Sequence, residues 1–505
     1  MAIATLPGDE HDANLLANTR PADWINPIPA RRYNLVVIGG GSAGLIAAAG
    51  AAGLGAKVAL VERDLLGGDC LNAGCVPSKT LIRAARAVAA VRDAGRFGVR
   101  VPDGWSVDFA AVMERVRATR AGLSSHDSAA RFRCLGVDVF LGTGTFAGPA
   151  TIAVGEQILP FRRAVIATGS RAAIPSIPGL EVTGFLTYES VFALTALPRR
   201  LAVIGAGPVG CELAQAFARL GSRVTLIGKH TQVLPKEDPD AAARVEAALR
   251  YDGIDLLLGC EVTRAEQRDR DKVLHVRRED DAHEVAVDTI LVGAGRLPNV
   301  DRLDLDKAGV TYDPHHGVRV DDHLRTSNPR VYAAGDACST HKFTHAADAM
   351  ARVVLQNALF KGGARVSALT IPRCTYTSPE IASVGLTERD ARSRGVPYRV
   401  FAQELARVDR AVIDGEIDGF VKLLVHPNSD KILGGTIVSS LPGEMIAEVT
   451  LAMVNGLGLR AIGKTIHPYP TQSEAIKKIA DAYARTRLTP AVKWLLDKWL
   501  AWGRS

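Results

Sequence analysis

The sequence has no apolar run long enough to cross a bilayer. Its most apolar stretch, 44–56, is rich in Gly and Ala, falls short of a span and is closed by Lys57. It has no long basic run either. Lys and Arg number 61 against 54 Asp and Glu, and a net charge of +7 over 505 residues is too thin to argue for nucleic acid. Cysteine is scarce. The seven, at 70, 75, 134, 211, 260, 338 and 374, are an odd number in a long chain and exclude a disulfide-stapled scaffold. The first residues, MAIATLPGDEHDANLL, carry acids and no basic segment ahead of an apolar core. No secretory leader is expected, and the reducing cytoplasm is the expected compartment. A close cysteine pair there is catalytic or metal-binding rather than structural. Aromatic residues are sparse at 5%, so the placement of the five tryptophans carries information.

What remains is ordinary in bulk. An apolar content of 47% and a charged content of 23% exclude a disordered, collagenous or purely coiled-coil chain. At about 100–200 residues per domain, the length suggests roughly three domains. Residues 1–30 are polar, hold four prolines and show no period, so they read as a loose arm.

Two segments repeat one design. LVVIG, ending at Gly39, suits a buried parallel strand. It runs into Gly39-Gly40-Gly41-Ser42-Ala43-Gly44, an Ala-rich helix, and the strand KVALVE that ends at Glu62. LAVI then leads into Gly205-Ala206-Gly207-Pro208-Val209-Gly210, the helix CELAQAFARL and the strand RVTLI. Gly39 and Gly205 permit the sharp turn. Gly41 and Gly207 leave room for a pyrophosphate, and Gly44 and Gly210 let helix and strand pack closely. Two such units are far more specific than a lone glycine motif.

The end of the second strand selects the nucleotide. Glu62 lies 18 residues past Gly44, where a carboxylate accepts from an adenosine ribose hydroxyl, which suits FAD or NAD. The matching position past Gly210 is Gly228, followed by Lys229 and His230, with Arg223 nearby. Cations without a carboxylate suit a 2′-phosphate, so the second unit leans to NADPH, with NADH as the alternative.

Cys70 and Cys75 follow directly on the first unit, in GGDCLNAGCVPSK. A zinc site of matching spacing would need two further ligands, and none is nearby, so no metal site is expected. A helix starting at the pair, with Lys79 and Arg83 on it, favours thiolates. A pair of thiols beside two nucleotide units implies a two-electron relay.

That segment resembles the redox-active segment of the FAD-dependent pyridine nucleotide–disulfide oxidoreductases. The likeness runs from about residue 32 to 480. Further matching segments are Gly142-Thr143-Gly144, Ala167-Thr168-Gly169, Gly293 to Asn299 with Arg296, and Tyr332 to Asp336 with Gly335. ARVDRAVIDGEIDGFVKLLV and HPYPTQSE look most like the mercuric-reductase-like branch, and dihydrolipoyl dehydrogenase is also similar. The resemblance implies an α/β fold: two Rossmann-like domains, for FAD and NAD(P), and a C-terminal α+β dimerisation domain. The expected division is an N-terminal arm (1–30), the FAD domain in two parts (31–197 and 292–365) and an NAD(P)H domain (198–291). An interface domain (366–480) and a basic, Trp-bearing tail (481–505) follow. The resemblance also implies FAD as cofactor and a homodimer. It makes Cys75 the flavin-proximal thiol and Cys70 the thiol that meets the acceptor. Lys79 would lie near the flavin N5, paired with Glu212, and Asp336 would hold the ribityl chain.

One segment departs from the family. Its disulfide reductases carry a catalytic His, then Pro, and a Glu that orients it. Here the order is His467-Pro468-Tyr469-Pro470-Thr471-Gln472-Ser473-Glu474. Keeping the spacing to Glu474 puts Tyr469 at the base position, and a two-residue slip would restore His467. A phenol with a pKa near about 10 is a poor base at neutral pH. The C-terminal cysteine pair of mercuric reductase is missing, so the final acceptor, a small molecule or a soft metal, stays open.

Pro490 can start a helix in the tail, where three of the five tryptophans stand. Lys493, Asp497 and Lys498 share one face. Such a helix lies at a membrane interface, or packs on the body or on a partner subunit.

Overall fold

The computed structural model describes residues 6–279, 281–360 and 362–504. By compactness the chain divides into two units. One comprises 1–231 and 252–369, the other 232–251 and 370–505. The helix Pro239–Tyr251 thus groups with the C-terminal part of the chain.

The first unit holds both of the parallel sheets that carry the glycine turns. In one, Tyr33–Ile38 lies between Val58–Glu62 and Gln157–Ile166, parallel to both, with Leu35 opposite Val58 and Arg163. Val137–Leu141 and Val331–Ala333 extend the parallel sheet on either side. The apolar run that suggested a buried strand is buried, with Leu35, Val36 and Val37 all fully covered. In the other sheet Arg200–Ile204 lies between Arg223–Gly228 and Thr289–Val292, again parallel. A three-stranded antiparallel sheet, Glu261–Arg268, Asp271–Arg278 and Asp281–Val287, adjoins it in sequence.

Each central strand feeds its glycine turn. Gly39 and Gly205 have φ of +107° and +116°, where a β-carbon would be strained, and one on Gly205 would stand 2.5 Å from the Gly293 carbonyl oxygen. A β-carbon on Gly44 would strike the Gly39 carbonyl, and one on Gly210 the Gly205 carbonyl. The helices Ser42–Gly53 and Pro208–Leu220 sit that close to their turns.

The N-terminal segment is not a loose arm. Asp9 caps the helix Glu10–Thr19, accepting from Asp12 N at 2.9 Å. Leu15 is fully buried against Leu65 and Leu71. Asp12 pairs with the buried Arg120 at 2.7 Å. The weak apolar period hid this helix because only the adjacent Leu15 and Leu16 and the ion pairs of Asp9 and Asp12 anchor it.

The second unit is built on a five-stranded antiparallel sheet that includes Glu380–Gly385, Phe420–Val425 and Ile432–Ser439. The helices Pro442–Val454 and Glu474–Arg485 supply buried residues to its core. The tail forms the helix Pro490–Trp502, none of whose residues is buried.

Candidate active site

The cysteine loop is laid against the first glycine turn. Gly67 N donates to the Gly40 carbonyl at 2.8 Å, and a β-carbon on Gly41 would stand 3.6 Å from the Gly68 Cα. Cys70 lies in the short helix Gly68–Asn72. Asn72 stitches this loop, donating from Nδ2 to the carbonyls of Leu66 (3.0 Å) and Gly68 (2.9 Å). Cys75 is the first residue of the helix Cys75–Arg92.

That placement sets the thiol chemistry. Both cysteines are free and hydrogen-bonded to each other. The bond from Cys70 brings Cys75 down to about 6, against the cost of burial, with help from Thr344 and the Lys79 cation. The unpaired amides at the helix start act in the same direction. Cys70 is pushed up, first by that same hydrogen bond and then by burial. The thiolate of the pair is therefore favoured on Cys75 over Cys70. Thr344 Oγ1 lies 3.4 Å from Cys75 Sγ.

One turn along, Lys79 Nζ donates to Glu212 Oε2 at 2.8 Å. Glu212 is buried on the helix Pro208–Leu220, so the pair joins the cysteine helix to the helix of the second glycine turn.

The remaining first-unit residues form two clusters. Thr168 Oγ1 donates to the Asn299 carbonyl at 2.6 Å, and Asn299 N donates to the Gly169 carbonyl at 2.9 Å. Asp336, in the turn begun by Gly335, accepts from Ser170 Oγ at 2.6 Å. Arg296 donates to Ser170 Oγ at 2.7 Å, lies 3.4 Å from Asp336 and is ion-paired with Asp69. The Tyr188 hydroxyl donates to Asp69 at 2.9 Å, and the Arg296 guanidinium lies 4.6 Å from the Tyr188 ring centre. Asp69 immediately precedes Cys70, so this cluster ties the redox loop to Asp336. Sequence reasoning missed Asp69, Tyr188, Ser170 and Thr344. Only Asp69 carried a local signal, its place next to Cys70.

Glu62 Oε2 accepts from Gly40 N at 2.5 Å and Oε1 from Asp64 N at 2.6 Å. Burial raises its pKa, and these two amides oppose the rise. Gly144 packs against Val61, with a β-carbon 3.0 Å from Val61 Cγ1.

These residues fit a flavin dinucleotide. The glycines at 39–44 let the turn pack closely on Ala167, Leu66 and Gly68 without side chains of their own, Glu62 stands at the end of the adjoining strand, and Asp336 directly follows Gly335 (φ +74°).

In the second glycine unit Gly228 is buried and ends its strand, with Lys229 and His230 exposed just beyond. Lys229 Nζ lies 3.5 Å from Glu261 Oε1. Arg223 does not join them. It begins the strand that Gly228 ends, roughly 16 Å away at strand rise. Sequence proximity misled here because an extended strand separates its two ends.

In the second unit the two candidate bases differ in setting. His467 Nε2 lies 2.9 Å from Glu448 Oε1 and Nδ1 lies 3.1 Å from the Thr465 carbonyl, with the imidazole 6% exposed. Tyr469 is 70% exposed, and its hydroxyl donates to Asp409 Oδ2 at 2.8 Å. That bond raises the phenol pKa. Glu474 does not receive the Tyr469 hydroxyl. Its Oε1 lies 3.7 Å from Lys478 Nζ, and its Oε2 is buried without a hydrogen-bond partner among the described residues. Sequence reasoning missed Asp409 and Glu448.

Comparison with known proteins agrees with this geometry. Residues 33–351 match the family model described as pyridine nucleotide-disulphide oxidoreductase, and 371–480 match its dimerisation domain. A mercuric reductase of Lysinibacillus sphaericus is 34% identical over 479 residues, covering 95% of this chain and 88% of that protein. A dihydrolipoyl dehydrogenase of Chlamydia muridarum is 35% identical over 452 residues, covering 88% and 95%. Among solved structures, the Cu(II) complex of the HOCl-induced flavoprotein disulfide reductase RclA of Escherichia coli superposes with a TM-score of 0.79. It is 28% identical, covering 90% of this chain and all of that one.

Proposed function

Because the chain belongs to the pyridine nucleotide–disulphide oxidoreductases, a family that is FAD-dependent and uses NAD(P)H, we propose that it passes electrons from NADPH to Cys70–Cys75 and on to a thiophilic metal ion. FAD, when bound, takes a hydride from the nicotinamide and supplies two electrons to sulfur. Gly39, Gly41, Gly44, Glu62, Gly144, Thr168, Gly169, Arg296, Gly335 and Asp336 would hold it. Gly205, Gly207, Gly210 and Lys229 would hold the nicotinamide nucleotide. Lys79, steadied by Glu212, sets a positive charge beside the Cys75 thiolate.

The observation that carries the choice of acceptor is the setting of the candidate bases, beside a pair in which Cys75 is the more acidic thiol and the proton is held more firmly on Cys70. A disulfide substrate needs a base to take that proton and an acid to return it to the departing thiolate. A soft metal ion displaces the proton by itself on binding sulfur. Both ring nitrogens of His467 are engaged, Nε2 by Glu448 and Nδ1 by the Thr465 carbonyl, and Asp409 raises the phenol pKa of Tyr469, so neither offers a free base. The pair then returns to the disulfide as the proton on Cys70 leaves and two electrons reduce one Hg(II) or two Cu(II). The relatives named mercuric reductase and the neighbour solved with Cu(II) favour the same class. The dimerisation-domain match supports a homodimer, in which Tyr469 and Glu474 would complete the partner's site.

The second reading is dihydrolipoyl dehydrogenase, favoured by relatives of that name at the same level of identity. An acceptor screen against enzyme pre-reduced with NADPH separates the two. Reoxidation by Hg(II) or Cu(II) outpacing lipoamide and glutathione disulfide supports the proposal. Fast turnover of dihydrolipoamide with NAD overturns it.

A further inference from the structure

The tail helix is the largest feature that this chemistry leaves unused. Pro490 occupies its first turn and the Thr489 side chain caps it, accepting from Val492 N at 3.3 Å. No residue of the helix is buried. At about 100° per residue, Trp502, Leu495, Trp499, Val492 and Leu496 fall within an arc of roughly 120°. Leu495, Trp499 and Trp502 are 62%, 66% and 74% exposed. Soluble surfaces rarely leave such a contiguous apolar face open. A thirteen-residue helix with no buried residue is also marginal in water.

The charges flanking this face indicate what covers it. Residues 485–504 hold Arg485, Arg487, Lys493, Lys498 and Arg504 against one carboxylate, Asp497. Two copies of the helix laid face to face would bring these cations together. An anionic lipid surface would neutralise them while its acyl boundary takes the Leu and Trp side chains. Tryptophan suits that boundary, with an apolar ring and one N–H donor. The helix is about 20 Å long against a hydrocarbon core of roughly 30 Å, so it can lie on a bilayer and not cross it. Among the described residues no helix is long and apolar enough to span.

We propose that Pro490–Trp502 docks the enzyme on membranes bearing anionic headgroups, the apolar face down and Lys493 and Lys498 at its edges. The test is sedimentation of the holoenzyme with vesicles of phosphatidylcholine alone, or of phosphatidylcholine with about one third phosphatidylglycerol. At low salt the full chain should partition onto the anionic vesicles about tenfold more strongly, and added salt should erase the difference. Leu495→Glu with Trp499→Glu should lower partition about tenfold on both kinds while flavin content and NADPH oxidation stay unchanged. Lys493→Glu with Lys498→Glu should remove the preference for anionic lipid. Equal partition of the wild type onto both kinds of vesicle, or none, overturns the proposal. So does wild-type binding by the Leu495/Trp499 variant. A variant that lowers the oligomeric mass without changing vesicle binding would show that the helix seats on a second copy instead, and also overturns it.

Discussion

A β-carbon built on Gly228 would stand 2.8 Å from the Cβ of Ala206. The first glycine unit has the reverse arrangement at the same spacing, with Gly40 donating its N–H to Glu62. Each unit thus holds one side chain in this place. In the first it is the carboxylate that can accept from a ribose hydroxyl, and in the second it is a methyl group that keeps a carboxylate out.

This pairing makes a prediction about nucleotide choice. The wild type should favour NADPH over NADH in kcat/KM. Gly228→Glu alone should weaken both, because Ala206 is buried and must shift. Ala206→Gly with Gly228→Glu should restore binding and move the preference toward NADH by about tenfold or more. Steady-state kinetics with both nucleotides checks this, and Arg223→Ala should leave the ratio unchanged. A wild type that already prefers NADH tenfold would remove Lys229 and His230 as a phosphate site.

The second prediction concerns the pH dependence of Cys75. Its pKa is lowered to about 6, so the thiolate is present above that value and lost below it. In the Cys70→Ser holoenzyme, a long-wavelength absorption band from the thiolate beside oxidised flavin should rise with pH. Its midpoint should lie above about 6, because serine replaces the thiol whose hydrogen bond is the largest lowering influence. Lys79→Met should move the midpoint up and Glu212→Gln should move it down, since the two charges act in opposite senses. Shifts in the same direction would show that the pair acts through packing alone.

The third prediction separates the candidate bases. The wild type should be weak on lipoamide and glutathione disulfide. Tyr469→His, placed against Asp409, should raise that activity by about 100-fold or more, within the range of a positioned general base. His467→Gln should change stability through Glu448 and leave the pH profile of turnover where it was. If His467→Gln instead abolishes a high wild-type lipoamide activity, His467 is the working base.

Much of this was readable in the chain because the requirements are local. A strand that turns sharply into a helix needs Gly39 and Gly44 at fixed spacing, and the same need recurs at Gly205 and Gly210. Cys70 and Cys75 are likewise five positions apart. The partners that tune the site are not local. Asp69 meets Arg296 across 227 positions, Tyr469 meets Asp409 across 60, and Asp12 meets Arg120 across 108. No periodicity reports such pairs, because a single polar contact leaves no pattern on either side. Arg223 shows the converse error. It is near Gly228 in sequence, yet the two stand at opposite ends of one extended strand.

The account rests on two electrons resting on Cys70–Cys75, and anaerobic reductive titration of the purified holoenzyme measures that directly. Absorbance should report four electrons taken up per chain, two by flavin and two by sulfur, falling to two in Cys75→Ser. A wild-type titration complete at two electrons would contradict the relay, whatever acceptor the enzyme turns out to use.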